Sequence, residues 1–399
     1  MRRARLGVLV LFIACGLAFA TWASRLVVIR ETLGVSPGAM GGLLLVMSAG
    51  SVCAMPTTGT LVLRFGVRWV LAVFGSVMVG GLVGAGIAAS LGSAWAMAVC
   101  LMVFGAGLGA TDVAMNLAGS DVERMLGRSV MPQFHAGYSV GTVAGAGIGA
   151  LMSRLGVSFV AHFGVMAALT VACLAWGWCT VLTEDRAGRG PAPASEDGAP
   201  SGTGTRAWLE GRTLLIGVLV LSMSLAEGAA DDWLASGLVQ AFGIPESGGI
   251  AGLAVFLVAM TAMRTAGTRL VDRWGRVRAL RASAVLAVAG LGVYAFSPWL
   301  VGAMVGAALW GLGAALGFPL GMSAAGDDPL RAAQRTSVVA TIAYGAFLVG
   351  PPLFGALAGI LGFRLALACL VVPMACGVFL APVLVPRATP GDACPDPSS

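Results

Sequence analysis

The sequence predicts an all-α polytopic membrane protein, twelve transmembrane helices arranged as two parallel six-helix repeats. Three observations carry that reading. Of the 399 residues, 11% are charged and 58% hydrophobic, whereas about a quarter of the residues in a soluble domain are charged. The apolar runs are roughly 20 to 25 residues long, a helix length rather than a strand length for a hydrocarbon core of about 30 Å. Polar punctuation in the first half of the chain returns, in order, in the second. The 59 glycines would weaken soluble helices but suit membrane helices packed through small residues.

The first run, Met1 to Ala23, has the outline of a signal peptide: Arg2, Arg3 and Arg5, an apolar core, then Ala18-Phe19-Ala20. Its likeness to a later internal run favours a retained first helix. The spans are expected at 6–29, 39–63, 69–91, 94–120, 130–153, 158–182, 213–239, 247–270, 279–297, 299–325, 333–360 and 364–385. They define a first bundle over 1–182 and a second over 213–385. The connection 183–212 holds Glu184, Asp185, Pro191 and Pro193 among Ala, Gly and Ser, and is expected to be a flexible linker. The proline-rich tail 386–399 lacks an apolar run and is expected to be disordered.

Arginine supplies all 24 basic residues. Most of them fall in loops on one side, and only Arg25, Arg30, Arg154 and Arg364 fall on the other, which predicts a cytoplasmic arginine-rich face with both termini inside. The net charge of +6 is dispersed over short loops, so no nucleic-acid partner is expected. Seven of the eight cysteines lie in apolar runs without a Cys-x-x-Cys pair. Neither a disulfide framework nor a metal or other cofactor is expected.

The internal repeat is legible residue by residue. Gly7-Val8-Leu9-Val10-Leu11 returns as Gly217-Val218-Leu219-Val220-Leu221. Gly105, Gly107 and Asp121 match Gly311, Gly313 and Asp327, and Tyr138 with Gly149-Ala150-Leu151 matches Tyr344 with Gly355-Ala356-Leu357. Because six is an even number of crossings, both halves start on the same side and the repeat is parallel.

A charged strip closes the second span of each half. Leu270, Asp272, Arg273, Gly275 and Arg276 form one copy; Gly59, Leu61, Arg64, Gly66 and Arg68 form the other, with Leu63 where the acid would stand. These strips resemble the signature loop of the major facilitator superfamily, Gly-x-Leu-x-Asp-Arg-x-Gly-Arg-Arg, and the two-half layout extends the resemblance over the whole chain. Trp22-Ala23-Ser24-Arg25, Asp112-Val113-Ala114-Met115-Asn116, Val122-Glu123-Arg124, Met131-Pro132 with His135, and Gly350-Pro351-Pro352 are similar to strings of its YbjJ-like branch. The resemblance implies a transporter working by alternating access, with its solute bound between the halves. Leu101 stands where proton-coupled drug exporters of the family carry an arginine, which argues against a drug antiporter.

Intramembrane ionisable groups cost about 2.5 to 3.5 kcal/mol each to insert and require an explanation. Glu227 and Asp231 share a helix face in span seven, followed by Asp232. We read Glu227 as a substrate or proton site, and Asp231 or Asp232 as the partner of Arg25 in an outer pair; the plainer alternative is solvated interfacial acids. Arg264 in span eight is either a structural partner, with Glu227 the candidate acid, or an anion clamp. Asp112 and Asn116 share a face of span four, and His135 enters span five from the same end, so either a proton switch or a hydrogen-bonded fastening fits. His162 is read as interfacial and given no role. At the cytoplasmic gate, the resemblance directs Asp272 to the start of span five near Arg124 and Arg128, and leaves Arg64 and Arg68 to meet Asp327 and Asp328, with Asp121 alongside.

The leading function is therefore a secondary transporter of a small polar or weakly charged solute, with proton coupling left open, working in the bilayer as a monomer. The alternative is a non-transporting sensor on the same fold. No phosphate-binding loop or nucleophile–base constellation is visible, so an enzyme is not expected.

Overall fold

Gly66 and Gly275 occupy matching positions in the two charged strips and have matching backbones, φ 86° with ψ 158° and φ 76° with ψ 161°. Side-chain-bearing residues are essentially barred from that region, so glycine is what lets each strip turn one membrane helix sharply into the next. Nothing lies within 4 Å of a Cβ built at Gly275. Gly275→Ala is therefore expected to lower stability by about 1–3 kcal/mol through backbone strain alone, read as a fall in melting temperature of the purified protein; an unchanged value would refute the strain.

The computed structural model describes residues 1–35, 37–182, 204–244 and 246–385. The expected tail 386–399, and most of the expected linker, lie outside the described residues. Helix α1 (Arg2–Ala23) breaks at Arg25 and continues as α2 (Leu26–Leu33); α3 (Pro37–Phe65), α4 (Val67–Ser90), α5 (Ala94–Leu126), α6 (Met131–Arg154) and α7 (Phe159–Thr180) complete the first half. Ser93 and Ser158 cap α5 and α7 by accepting from Ala96 N and Ala161 N. A short 3-10 turn, Gly204–Leu209, leads into α8 (Gly211–Phe242).

Helix α9 (Glu246–Phe296) has 51 residues, about 75 Å at 1.5 Å per residue and too long for one crossing; it folds at Gly275 into spans eight and nine. Helices α10 (Leu300–Ala314) and α11 (Gly317–Ala325) are one crossing broken at Ala315 and Leu316. The break lies one turn before Pro319, whose missing N–H leaves the Ala315 carbonyl without a helical donor. Helix α12 (Ala332–Leu361) runs through Pro351 and Pro352 without such a break, and α13 (Phe363–Ala368) and α14 (Val371–Leu380) form the last crossing. The described residues thus make twelve crossings. Ten stretches among the described residues are long and apolar enough by themselves. The difference arises because α9 is one stretch with two crossings and α6 is diluted by glycine and polar residues.

Buried apolar side chains gather in two clusters, one per half, each with a few residues from the other: Ala332 and Ala333 join the first, Met55 and Val113 the second. The exchange marks the seam between α3 and α12. There Ser337 Oγ donates to the Met55 carbonyl, and a Cβ on Gly59 would come within 2.6 Å of the Ala333 carbonyl oxygen. Two helix backbones approach this closely only where one offers no side chain.

Candidate functional site

Arg264 is the best-connected charge in the bundle core. It is 4% exposed. Its Nη2 donates to both Glu227 oxygens, at 2.9 and 2.8 Å, its Nη1 to Ser139 Oγ at 3.2 Å, and its Nε to the Ala315 carbonyl at 3.3 Å. The last acceptor is the one Pro319 sets free, so a helix break and a buried arginine satisfy each other. Ser139 belongs to α6 in the first half, so the Glu227–Arg264 pair of the second half is fastened across the interface. Arg264 thus has an acid partner and no open face for a bidentate anion.

In the first half, Asp112 is 5% exposed. Asn116, one turn on, donates Nδ2 to the Asp112 carbonyl at 2.9 Å, and its Oδ1 lies 3.1 Å from His135 Nε2. Since the amide oxygen can only accept, Nε2 carries the proton. The imidazole therefore meets Asn116 rather than the carboxylate. It is held between the rings of Phe12 and Phe318, at 4.9 and 5.2 Å, which fastens α6 to α1 and, across the interface, to α11. Tyr344 of α12 and Asn116 lie beside the Asp112 carboxylate, yet Asp112 Oδ2 has no hydrogen-bond partner.

The expected outer pair does not form. Arg25, 5% exposed, turns into its own half, donating from Nη2 to the Val157 carbonyl at 2.8 Å and lying 5.0 Å over the Phe159 ring. Asp231 and Asp232 are exposed and enter no ion pair among the described residues. The break after Ala23 aims the guanidinium at the α6–α7 connection, away from α8. His162, in the first turn of α7, is fully buried against Phe163, with neither ring nitrogen hydrogen-bonded.

At the arginine-rich face, Glu123 joins the halves. Its Oε2 accepts from Val130 N and Met131 N, both at 2.8 Å, and from Ser129 Oγ at 3.3 Å, capping the start of α6. Its Oε1 accepts from Ser323 Oγ and from Arg276 Nη2 at 3.0 Å, both in the second half. Arg276 reaches on to Asp327 at 2.6 Å, and Arg212 pairs with the same acid at 3.3 Å. Asp272 accepts from Ser129 N at 3.3 Å, at the start of span five as expected. Asp121 pairs with Arg124 at 2.8 Å. Glu123, Ser129, Asp272, Arg276, Ser323 and Asp327 border a cavity of about 780 Å³; Arg273 nearby is exposed.

Arg64 and Arg68 do not meet Asp327 and Asp328. Arg64 lies over Phe65 at 5.1 Å and Arg68 over Trp178 at 4.1 Å. The corner between α3 and α4 packs on α7 of its own half, while the turn after α11 faces its own half's arginines. Asp328 pairs with Arg335 at 3.3 Å, and Glu210 takes Arg335 and Arg331 at 2.6 and 2.9 Å.

Glu210 sits just outside the membrane-spanning part of α8. Burial works to raise its carboxyl, but the hydrogen bonds from Arg335 and Thr213 and the charge of Arg335 outweigh burial and hold it below the ordinary 4.5. A lowered carboxyl stabilises the fold fully above its unfolded value and loses that contribution as pH falls through the folded one. The melting-temperature advantage of wild type over Glu210→Gln is thus expected to be constant from neutral pH to about 5 and to shrink below 4.5; an advantage that grew on acidification would contradict it.

Glu123, Ser139, Ser323 and Tyr344 received no role from the sequence. Glu123 had a usable signal, an acid shortly before the helix start marked by Met131-Pro132. The other three are ordinary polar residues whose importance arises only when the halves meet.

The model of the Major Facilitator Superfamily matches residues 6–329 and 232–399. An uncharacterized MFS-type transporter of Yersinia pestis is 31% identical over 90% of this chain and 90% of its own length. The uncharacterized transporter y4wD of Sinorhizobium fredii is 31% identical, over 95% of this chain and 97% of its own. Among solved structures, the Escherichia coli fucose:proton symporter FucP superposes with a TM-score of 0.79 at 15% identity, covering 96% of this chain and 98% of that one, a likeness of fold.

Proposed function

Because the chain belongs to the Major Facilitator Superfamily, we propose that it is a secondary active transporter moving a small polar or weakly charged solute by alternating access, with a proton as the coupled ion. The observation that carries this reading is the position of the Glu227–Arg264 pair, buried, central and tied to Ser139 of the opposite half. A group that contacts both halves at mid-depth is placed to couple what binds there to which side is open.

With the arginine-rich face cytoplasmic, the Glu123–Arg276–Asp327 and Asp272–Ser129 contacts are a closed inner gate, and the exposed Asp231 and Asp232 belong to the outward path. Protonation of Glu227 would release Arg264 from its carboxylate, leaving the guanidinium to Ser139 of the first half and the Ala315 carbonyl of the second. Asp112, Asn116 and His135 line the first-half wall of the same path, where His135 fastens the helices. We place the protein, as a multi-pass monomer with both termini inside, in the bacterial cytoplasmic membrane.

Flux into proteoliposomes, across a panel of sugars, amino acids, amines and organic acids with and without an imposed pH gradient, tests the proposal. A solute whose uptake rises with an inward proton gradient is the expected result. Tight binding without any flux would favour the sensor reading, and flux indifferent to the gradient would remove the proton.

A further inference from the structure

The first-half charged strip keeps its arginines without an acid, since Leu63 stands at that position, and the gate makes no use of Arg68. Its corner packs on α7 instead. Trp178 Nε1 donates to the Arg68 carbonyl at 2.9 Å, and the Arg68 guanidinium lies 4.1 Å over the same indole. The start of α1 reaches the same place. A Cβ on Gly177 would lie 3.2 Å from the Gly7 carbonyl oxygen, and one on Gly7 would run into Thr180. Three helix ends of the first half, the starts of α1 and α4 and the end of α7, therefore meet at the arginine-rich face.

Between them lies a cavity of about 750 Å³, bordered by Arg2, Arg3 and Arg68 together with Cys179, Thr180 and Leu182. No acid borders it among the described residues. The gate cavity differs in this respect, because Glu123, Asp272 and Asp327 offset its arginines. Arg5 is committed to Gln133, whereas Arg2 and Arg3 are exposed and enter no hydrogen bond or ion pair among the described residues. Arg68 Nε is buried without an acceptor, an unfavourable condition for a donor until an oxygen arrives. Uncompensated guanidinium groups around a hollow select an anion, and their planar forks suit phosphate oxygens. Position selects which phosphate. The same helix ends carry exposed Phe65, Trp69, Trp176 and Trp178, the aromatic composition of a membrane–water boundary.

We propose that this cavity holds the phosphodiester headgroup of an anionic phospholipid, clamped by Arg2, Arg3 and Arg68. The two charged strips then do different work. In the second half Asp272 latches the gate through Ser129 N, while the first-half strip, without its acid, turns Arg68 to the bilayer. Every wall of the cavity belongs to the first half, so the lipid ties α1, α4 and α7 together and stabilises that half without bridging the two.

The purified full chain in an uncharged detergent is titrated with phosphatidylglycerol, with phosphatidylcholine and with inorganic phosphate. Melting temperature gives the midpoint of each titration, and native mass spectrometry counts the lipids that stay bound. Phosphatidylglycerol is expected to raise the melting temperature with one molecule retained, whereas phosphatidylcholine, whose choline cancels the charge, and millimolar phosphate do not. Arg68→Gln should raise the phosphatidylglycerol midpoint about fivefold, and Arg2→Gln with Arg3→Gln about tenfold or more. Arg68→Lys, which keeps the charge, should stay within a few-fold of wild type and shows that the loss in the amide is not misfolding. Arg269→Gln removes an exposed arginine from the same face of the other half and should leave the midpoint unchanged. Equal stabilisation by phosphatidylcholine, arginine variants that titrate like wild type, or an equal loss with Arg269→Gln would overturn the site. Inorganic phosphate that binds with the same arginine dependence would overturn the lipid and put a soluble anion in its place.

Discussion

Glu227→Gln is expected to cost more than any other single change in the core, about 3–5 kcal/mol, and to abolish gradient-driven uptake. The reason is what it leaves behind. Arg264 Nη2 would lose the carboxylate that holds it at 2.9 and 2.8 Å, while Ser139 and the Ala315 carbonyl cannot neutralise a full positive charge at 4% exposure. Removing both charges together, as Glu227→Gln with Arg264→Gln, should therefore unfold at a higher temperature than Glu227→Gln alone. Melting temperatures of the two singles and the double form a cycle that isolates the pair. Additive losses would show that the two groups do not depend on each other. Arg264→Lys supplies a second check, since an ammonium keeps the charge but cannot reach Glu227, Ser139 and Ala315 in one geometry. It should retain most of the stability and lose most of the transport.

The twelve crossings were legible because each depends on local composition, and the Gly66 and Gly275 corners because a motif marks them. Polar partners were legible only between neighbouring spans of one half. Glu227 and Arg264 lie on consecutive spans, and the sequence offers Glu227 as the candidate acid beside the anion-clamp alternative. Arg25 is paired with Asp231 or Asp232 across halves by analogy of depth, and Arg64 and Arg68 with Asp327 and Asp328 by the resemblance of the charged strips. They fail because a break or corner redirects the side chain onto its own half, where Val157 and Phe159 or Phe65 and Trp178 suffice. Which half an arginine faces is a property of packing, not of position along the chain. The superfamily follows from the family match over most of the chain and from relatives 31% identical to it, while the likeness to its YbjJ-like branch rests on the quoted strings alone.

The gate at the arginine-rich face is asymmetric, and its hub differs from the one the motif suggests. The signature acid Asp272 is exposed and holds a single backbone N–H at 3.3 Å. Glu123, outside the motif, is 5% exposed and serves two α6 amides, two hydroxyls and Arg276. Helix dipole, capping and a buried ion pair thus converge on one carboxylate. Glu123→Gln offers one acceptor oxygen for contacts that now occupy two, and turns an amide donor toward other donors. A loss of about 3 kcal/mol specific to the closed gate is enough to move an equilibrium more than a hundredfold. Met55 is fully buried at the α3–α12 seam, so Met55→Cys in a cysteine-free background reports opening by its rate of labelling. Labelling from the arginine-rich side should accelerate most with Glu123→Gln, less with Asp272→Asn, and hardly at all with Leu63→Asn, because Leu63 is exposed and takes no part in the latch. Equal rates for Asp272→Asn and Leu63→Asn would sink the asymmetry. A larger effect of Asp272→Asn than of Glu123→Gln would return the hub to the motif.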